Sequence, residues 1–480
     1  MSKSERSKRF LYLVIGPVLF IAASIGLSGL LTPMGAKAVG TMLWMVFWWV
    51  TRPIDMTVTA FLPVIVNALF NLVPMEEIIK QYASESVILI FGSCLLVMPW
   101  MITGLDRRIA LKILSIIGPS MRSQITVWFV ASMVMSSLVP NVAVCALFSP
   151  IAVAMFEAIR TPSGGMEKKS LATPILLAIG WTSVMGGVGS PLGGAMNVTA
   201  ISFLEEMTGH EFMYVDWIIR IMPYFIASTV VTLIVMILIF ARGNVHLEGT
   251  KEFFEKSYQE LGPMKQEEKI CMALFLITLV AVFTRPLYAK LLPALTPAYV
   301  FMITGFALFL FTVKDKGLMM SWDHAQKNMM WGMMLLFGGG LALGNMINGS
   351  GATAGIAELI SKMQLQSGLM AITVFVVFTT VLAELGNSTV SAAIMIPLVL
   401  GLTTRMGWDP IPYWFATIMG FNGEFLLPIS VRAIAVGYGV DPDIMMKTGI
   451  PMVIARMITA IVVAYLCMEL WPTFSHLPYL

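Results

Sequence analysis

Two stretches of this 480-residue chain read as membrane helices cut in half. Ile125–Leu138 followed by Val142–Ile159, and Leu369–Leu385 followed by Thr389–Leu402, are pairs of apolar arms. Each arm is shorter than the roughly 20 apolar residues that a single crossing needs. A small polar cluster joins each pair, Val139-Pro140-Asn141 in the first and Gly386-Asn387-Ser388 in the second. Such a pair reads as a re-entrant hairpin that enters the bilayer and turns back at mid-depth. Backbone that is neither helix nor closed barrel survives there only when it is buried in protein or lines a watery cavity. The two tips therefore mark a cavity inside a membrane-embedded fold.

The rest of the chain supplies that fold. Apolar runs near Phe10–Leu31, Ala38–Val50, Met56–Val73, Ser86–Thr103, Leu171–Ile201, Trp217–Ala241, Ile270–Phe283, Tyr299–Val313, Met329–Ile347, Tyr413–Gly437 and Ile450–Leu470 read as spans. Only 12% of residues are charged and 58% are hydrophobic, whereas a soluble domain carries about 25% charged residues. Soluble catalysts, nucleic-acid binders and disordered scaffolds are excluded on that ground. The expected fold is an all-α polytopic membrane protein of about 11 transmembrane helices plus the two hairpins. The net charge of +3 is scattered over short loops, so no nucleic-acid partner is implied. No Walker A sequence occurs. Cys94, Cys145, Cys271 and Cys467 stand singly in apolar segments as packing residues, not as metal ligands or disulfides. The basic N-terminus reads as part of a retained first helix, since no small-residue cleavage site follows it.

With the N-terminus cytoplasmic, Lys and Arg concentrate in the inside loops, including Arg107, Arg108, Arg122, Lys168, Lys169 and the polar stretch Arg242–Lys269. The halves also resemble each other. "LIFGSCLLVMPW" from Leu89 matches "LLFGGGLALGNM" from Leu335, and "VPNVAVCALFSPI" from Val139 matches "GNSTVSAAIMIPL" from Gly386, with Pro150 and Pro397 in register. An odd number of crossings separates the matched spans, so the second copy is expected upside down. Inverted repeats with broken helices at the midplane are a mark of secondary transporters. The division that follows is residues 1–85 as N-terminal scaffold helices, 86–241 as the first repeat with hairpin 125–159 and broken helix 171–201, 242–269 as a cytoplasmic linker, 270–313 as further scaffold helices, and 329–472 as the second repeat with hairpin 369–402 and broken helix 413–437.

The broken helices carry the chemistry. "WTSVMGGVGSPLGGAMNVTA" from Trp181 packs Gly186, Gly187, Gly189, Gly193, Gly194 and Pro191 into nine positions, which a continuous helix does not tolerate. "MGFNGEFLLPISVRAIAVGYG" from Met419 breaks around Gly423 and Pro428. Half-helix N-termini offer N–H groups to an anion, and unwound carbonyls can hold a cation. Asn141, Ser190, Asn197, Asn387, Ser388 and Thr389 are the candidate substrate ligands, together with Arg432 as a charge at depth. Asn141, Gly189, Thr389, Asn422 and Glu424 are candidate ligands for sodium or another cation. Arg432 has four readings: a partner for a substrate carboxylate, a fixed positive charge in the place of a bound cation, an ion pair with Glu424, or a side chain that snorkels to the cytoplasmic edge. Glu384 is expected to brace the second hairpin.

Four ordered motifs carry a family resemblance: "LDRRIALKIL" from Leu105, "GGVGSPLGGAMN" from Gly186, "FGGGLALGNMINGSG" from Phe337 and "ELGNSTVSAAIMIPL" from Glu384. Together they resemble the divalent anion:sodium symporter family, which includes the di- and tricarboxylate transporters. The resemblance implies a homodimer with scaffold and transport domains, an elevator mechanism, and a Ser-Asn-Thr triplet at each tip for substrate and sodium. Here the triplet positions hold Pro140, Asn141, Val142 and Asn387, Ser388, Thr389, so Asn141 and Thr389 match. The family's Pro-Pro-Asn becomes Ala195, Met196, Asn197 in the first half, and in the second Arg432 falls where Asn is expected.

The reading that results is a secondary transporter in the cytoplasmic membrane. It carries small dicarboxylates or related anions, by sodium symport or by exchange of one dicarboxylate for another. No cofactor is expected, and sodium is the candidate coupling ion. A cation antiporter or channel of the same broad superfamily, with Glu424 carrying the proton or cation, is the alternative.

Overall fold

The computed structural model describes residues 3–158, 168–241, 245–313, 317–353, 355, 366–475 and 477. Ile159 and Arg242 of the expected elements, and the side chains of Lys168 and Lys169, lie outside them. Among the described residues the fold is helical, with one two-stranded ribbon, Thr312–Val313 against Gly317–Leu318.

The helices are amphipathic inside out. In Tyr214–Phe240 the exposed side chains are Ile219, Ile226, Val230, Ile234 and Leu238, while Ser228 and Thr232 are buried. In Pro442–Leu470 every fourth residue from Ile450 to Leu470 is an exposed aliphatic, and Arg456 and Thr459 face inward. Lipid tails are as apolar as leucine, so a helix in a bilayer gains nothing by hiding leucine and must hide its polar groups instead. Seven of the described helices are long and apolar enough to cross a membrane. Other expected spans are shorter or broken. Met56–Val73 becomes two pieces, Met56–Thr59 and Leu62–Phe70, stepping just before Pro63, which has no N–H to continue the ladder. The span expected at Tyr299–Val313 is the short helix Pro297–Ala307.

Both hairpins form. Met121–Ser136 and Asn141–Ala158 are the arms of the first, Leu369–Leu385 and Ser388–Arg405 those of the second. A broken span follows each. The first runs Lys168–Met185, tightens into 3₁₀ turns at Gly186–Gly189 and Pro191–Gly193, and resumes as Ala195–Thr208. Glycine is required at 186, where any side chain would run into the Met133 carbonyl of the hairpin arm. The second runs Pro410–Phe421, loses helical form, and resumes at Arg432–Gly437. Each broken span is followed in sequence by a long helix, Tyr214–Phe240 and Pro442–Leu470, and these two pack side by side.

A smaller apolar core joins the N-terminal helices to the rest. Ala36, Val39, Trp49, Val66 and Ile78 pack with Ala342, Leu343 and Met346 of helix Trp331–Gly349, and with Val390 and Ile394 of the second hairpin. This core sets the N-terminal helices across from the hairpin tips.

At the polar linker, Arg108 of the "LDRRIALKIL" helix donates to both carboxylate oxygens of Glu268, from Nε at 2.9 Å and from Nη2 at 3.1 Å. Burial alone would raise the Glu268 carboxyl, but the Arg108 guanidinium and the Lys265 N–H hold it below its ordinary value.

Candidate functional site

A cavity of about 750 Å³ lies where the two hairpin tips approach each other. Asn141, Asn387, Ser388, Thr389 and Glu424 line it with Ala195 and Met196, and so do Arg9, Arg52, Asp55 and Thr57 of the N-terminal part of the chain.

Each tip is fixed by its own asparagine. The Asn387 backbone is extended, and its Oδ1 accepts from the Val390 N–H at 2.8 Å, capping helix Ser388–Arg405. Asn141 follows Pro140 and accepts from the Val142 N–H at 2.9 Å. Two helices thus begin at the cavity wall, and both turn their positive dipole ends toward it. Ser388 is buried, with its N–H on Glu424 Oε1 at 2.5 Å and its hydroxyl within 2.6 Å of the same oxygen. Thr389, one residue on, lines the cavity.

Behind this wall a frame of hydrogen bonds ties the broken elements together. Ser190 donates to the Ser137 carbonyl of the first hairpin at 2.5 Å and accepts from the Leu192 N–H. Gly189 packs against Ser137 and Phe225. Asn197 donates to the carbonyls of Gly187 at 2.7 Å and Ser190 at 2.9 Å, stitching its own broken span. Its Oδ1 accepts from Asn422 of the second span at 3.1 Å. Asn422 Oδ1 is buried with no hydrogen-bond partner among the described residues. Ser190, Asn197, Gly189 and Asn422 therefore stand behind the wall, while Asn141, Asn387, Ser388, Thr389 and Glu424 form it.

Arg432 is fully buried and away from the cavity wall. Its Nη1 donates to Glu384 Oε2 at 3.1 Å, and its Nη2 lies 2.8 Å from Glu424 Oε2, an ion contact whose angle falls short of a hydrogen bond. Of its four readings, this geometry matches the ion pair with Glu424, with a second carboxylate, Glu384, added. Glu384 also accepts from the N–H groups of Phe425 at 2.9 Å and Leu426 at 3.0 Å, bracing the hairpin arm to the unwound segment.

Three arginines were missed in the sequence. Arg456 is buried behind the break in the second span. A charge well inside the apolar run Ile450–Leu470, whose other charge, Glu469, stands at its end, was a signal for it. Arg9 and Arg52 stand at the ends of apolar runs and read as ordinary flanking charges. Arg52 adopts a left-handed conformation, φ +50°, and its N–H closes helix Pro33–Thr51 on the Trp48 carbonyl at 2.8 Å. Pro53 follows it and is held by the Arg9 Nε, which donates to its carbonyl at 2.8 Å. Among the described residues no hydrogen bond or ion pair ties down the Arg52 guanidinium, which is exposed to the cavity. The site thus combines two helix N-termini and neutral amide and hydroxyl donors with the Arg52 guanidinium, which lies in the field of the Asp55 and Glu424 carboxylates that line the same cavity.

A family described as citrate transporter matches residues 46–420. The chain belongs to the citrate transporter family. The resemblance to the divalent anion:sodium symporters, read from four motifs, is borne out with it. Among relatives of this family member, the sodium-dependent dicarboxylate transporter SdcS of Staphylococcus saprophyticus is 26% identical over 455 residues, covering 91% of this chain and 86% of that protein. The protein of the same name from Staphylococcus aureus is 25% identical, covering 91% and 87%. The fold is similar to the crystal structure of the YdaH transporter of Alcanivorax borkumensis, with a TM-score of 0.53 at 12% identity, over 82% of this chain and 88% of that one.

Proposed function

We propose that the chain is a secondary active transporter that carries small dicarboxylates across the cell membrane, with the substrate held between the two hairpin tips. The observation that carries this reading is the single cavity shared by Asn141, Asn387, Ser388, Thr389 and Arg52. One carboxylate would take the side-chain amides of Asn141 and Asn387 and the Thr389 hydroxyl, and the other the Arg52 guanidinium. The names of the SdcS relatives support a dicarboxylate and sodium coupling. The unpartnered Asn422 Oδ1 offers an oxygen to a mobile sodium ion.

The hairpins and broken spans are cross-tied by Ser190, Asn197 and Glu384, which supports their moving as one transport body against the scaffold helices. On the family resemblance the unit is a homodimer. Exchange of one dicarboxylate for another is the second reading. It is favoured by Arg432, whose fixed charge stands in the second broken span.

Reconstitution into liposomes with labelled succinate tests both. Uptake that needs an inward sodium gradient supports symport. Uptake that needs unlabelled dicarboxylate inside supports exchange. Uptake under neither condition overturns the dicarboxylate reading.

A further inference from the structure

Helix Pro410–Phe421 ends at the break in the second span, and its last carbonyls have no intrahelical partner. Arg456, from the helix Pro442–Leu470, occupies them. Its Nη1 donates to the Met419 carbonyl at 2.6 Å and its Nη2 to the Gly420 carbonyl at 2.9 Å. Two hydroxyls complete the ring, Thr380 at 3.1 Å from Nη2 and Tyr224 at 3.3 Å from Nη1. Both hydroxyls in turn donate to the same two carbonyls, each at 3.0 Å. Gly423 makes room for the arginine stem, which any side chain at that position would strike.

The charge at this place is unusual. Arg456 is fully buried, and among the described residues no carboxylate pairs with it. A buried cation without a counter-ion is costly unless oxygen dipoles replace its water. Here the negative end of a half-helix, two main-chain carbonyls and two hydroxyls do so. This is the donor set with which unwound helices in secondary transporters hold a monovalent cation. The neighbouring Arg432 lies between two carboxylates, so its charge is accounted for and does not serve this group.

We propose that Arg456 is a tethered cation filling a monovalent-cation site at the C-terminal end of the first half of the broken span. A cation on a side chain never leaves, so this site needs no loading from solution. The transport cycle then carries one mobile cation fewer than a chain that leaves the same carbonyls open. The proposal deepens the transport reading and rests on it.

The test compares the purified full-length protein with Arg456→Ala, Arg456→Gln and Arg456→Lys. Thermal unfolding and succinate uptake are measured in choline, sodium and methylguanidinium chloride. Arg456→Ala should melt lower in choline and lose uptake at the lowest sodium concentration that supports wild-type uptake, and sodium or methylguanidinium should raise its melting midpoint saturably and by more than in the wild type. Arg456→Lys should keep uptake at that sodium concentration. Arg456→Gln, which keeps a donor without the charge, should lose it. The proposal is overturned if Arg456→Gln matches the wild type, since a neutral cap would then suffice. It is equally overturned if folded Arg456→Ala melts alike in all three salts. Should Arg456→Ala fold in none of them, Lys retained with Gln lost supports the proposal, and both lost or both retained overturns it. The melting shifts need no substrate, so a wild type that takes up no succinate would sink the dicarboxylate reading without touching this one.

Discussion

Asn197 Oδ1 accepts a hydrogen bond from Asn422 Nδ2 at 3.1 Å, joining two broken spans that lie 225 residues apart in the chain. Both side chains are buried, and Asn197 also donates to two carbonyls of its own span. Replacing Asn197 by alanine strands the Gly187 carbonyl and takes one partner from the Ser190 carbonyl and the Asn422 amide, which keep the Gly193 N–H and the Ile418 carbonyl. A stranded buried group costs about 1–3 kcal/mol. Asn197→Ala should therefore lower the thermal unfolding midpoint clearly, and more than Asn141→Ala, since the Asn141 side chain accepts only from the neighbouring Val142 N–H among the described residues. Side-by-side melting of the two purified variants checks the ranking.

Arg432 distinguishes a brace from a ligand. Its removal leaves Glu384 and Glu424 buried without their shared cation, and breaking such a group costs about 3–5 kcal/mol. Arg432→Met should yield little folded protein. A stable Arg432→Met protein with a raised KM for substrate would instead make this arginine a substrate ligand.

Arg52 should behave in the opposite way. Its guanidinium makes no hydrogen bond within the described protein, so Arg52→Ala should leave the melting midpoint nearly unchanged. A charge-assisted hydrogen bond to substrate contributes about 1.5–3 kcal/mol, so KM for a dicarboxylate should rise by about tenfold or more. A monocarboxylate should be affected less. Equal kinetics for wild type and variant would remove Arg52 from the site.

The Arg108–Glu268 pair has a defined acid limb. Glu268 is held below its ordinary value in the folded protein, so the folded state binds fewer protons there than the unfolded one. Its contribution is complete above the ordinary carboxylate value and is lost as pH falls through the lowered folded value. In Arg108→Ala the Lys265 N–H is left to oppose burial without the guanidinium, so the folded value rises toward the unfolded one and the loss of stability on acidification should have a smaller amplitude than in the wild type. Unfolding midpoints of both proteins, followed from neutral pH downward, measure the difference.

The hairpins and broken spans were legible because their interruptions are local. Pro140, Asn387, the glycines from Gly186 to Gly194 and Pro428 each disrupt a helix whatever surrounds them. That Asn141, Asn387, Ser388 and Thr389 share one cavity follows from those interruptions being at membrane depth. Which polar side chains face that cavity was not legible, since it depends on the rotation of each broken helix. Ser190 turns to the Ser137 carbonyl of the first hairpin, Asn197 to the backbone of its own span, and Arg432 to Glu384 and Glu424. Arg456 was hidden for another reason. The carbonyls it satisfies lie 36 and 37 residues earlier in the chain, and only the packing of helix Pro442–Leu470 brings them together.

The aliphatic stripes on Tyr214–Phe240 and Pro442–Leu470 belong to two helices that follow the broken spans and pack on each other. In the proposed cycle these helices travel with the substrate, so the moving part meets the acyl chains directly along their length. Its passage is then resisted by the viscosity and thickness of the surrounding lipid. Bilayer composition becomes a determinant of turnover in its own right, independent of how tightly the tips hold the anion.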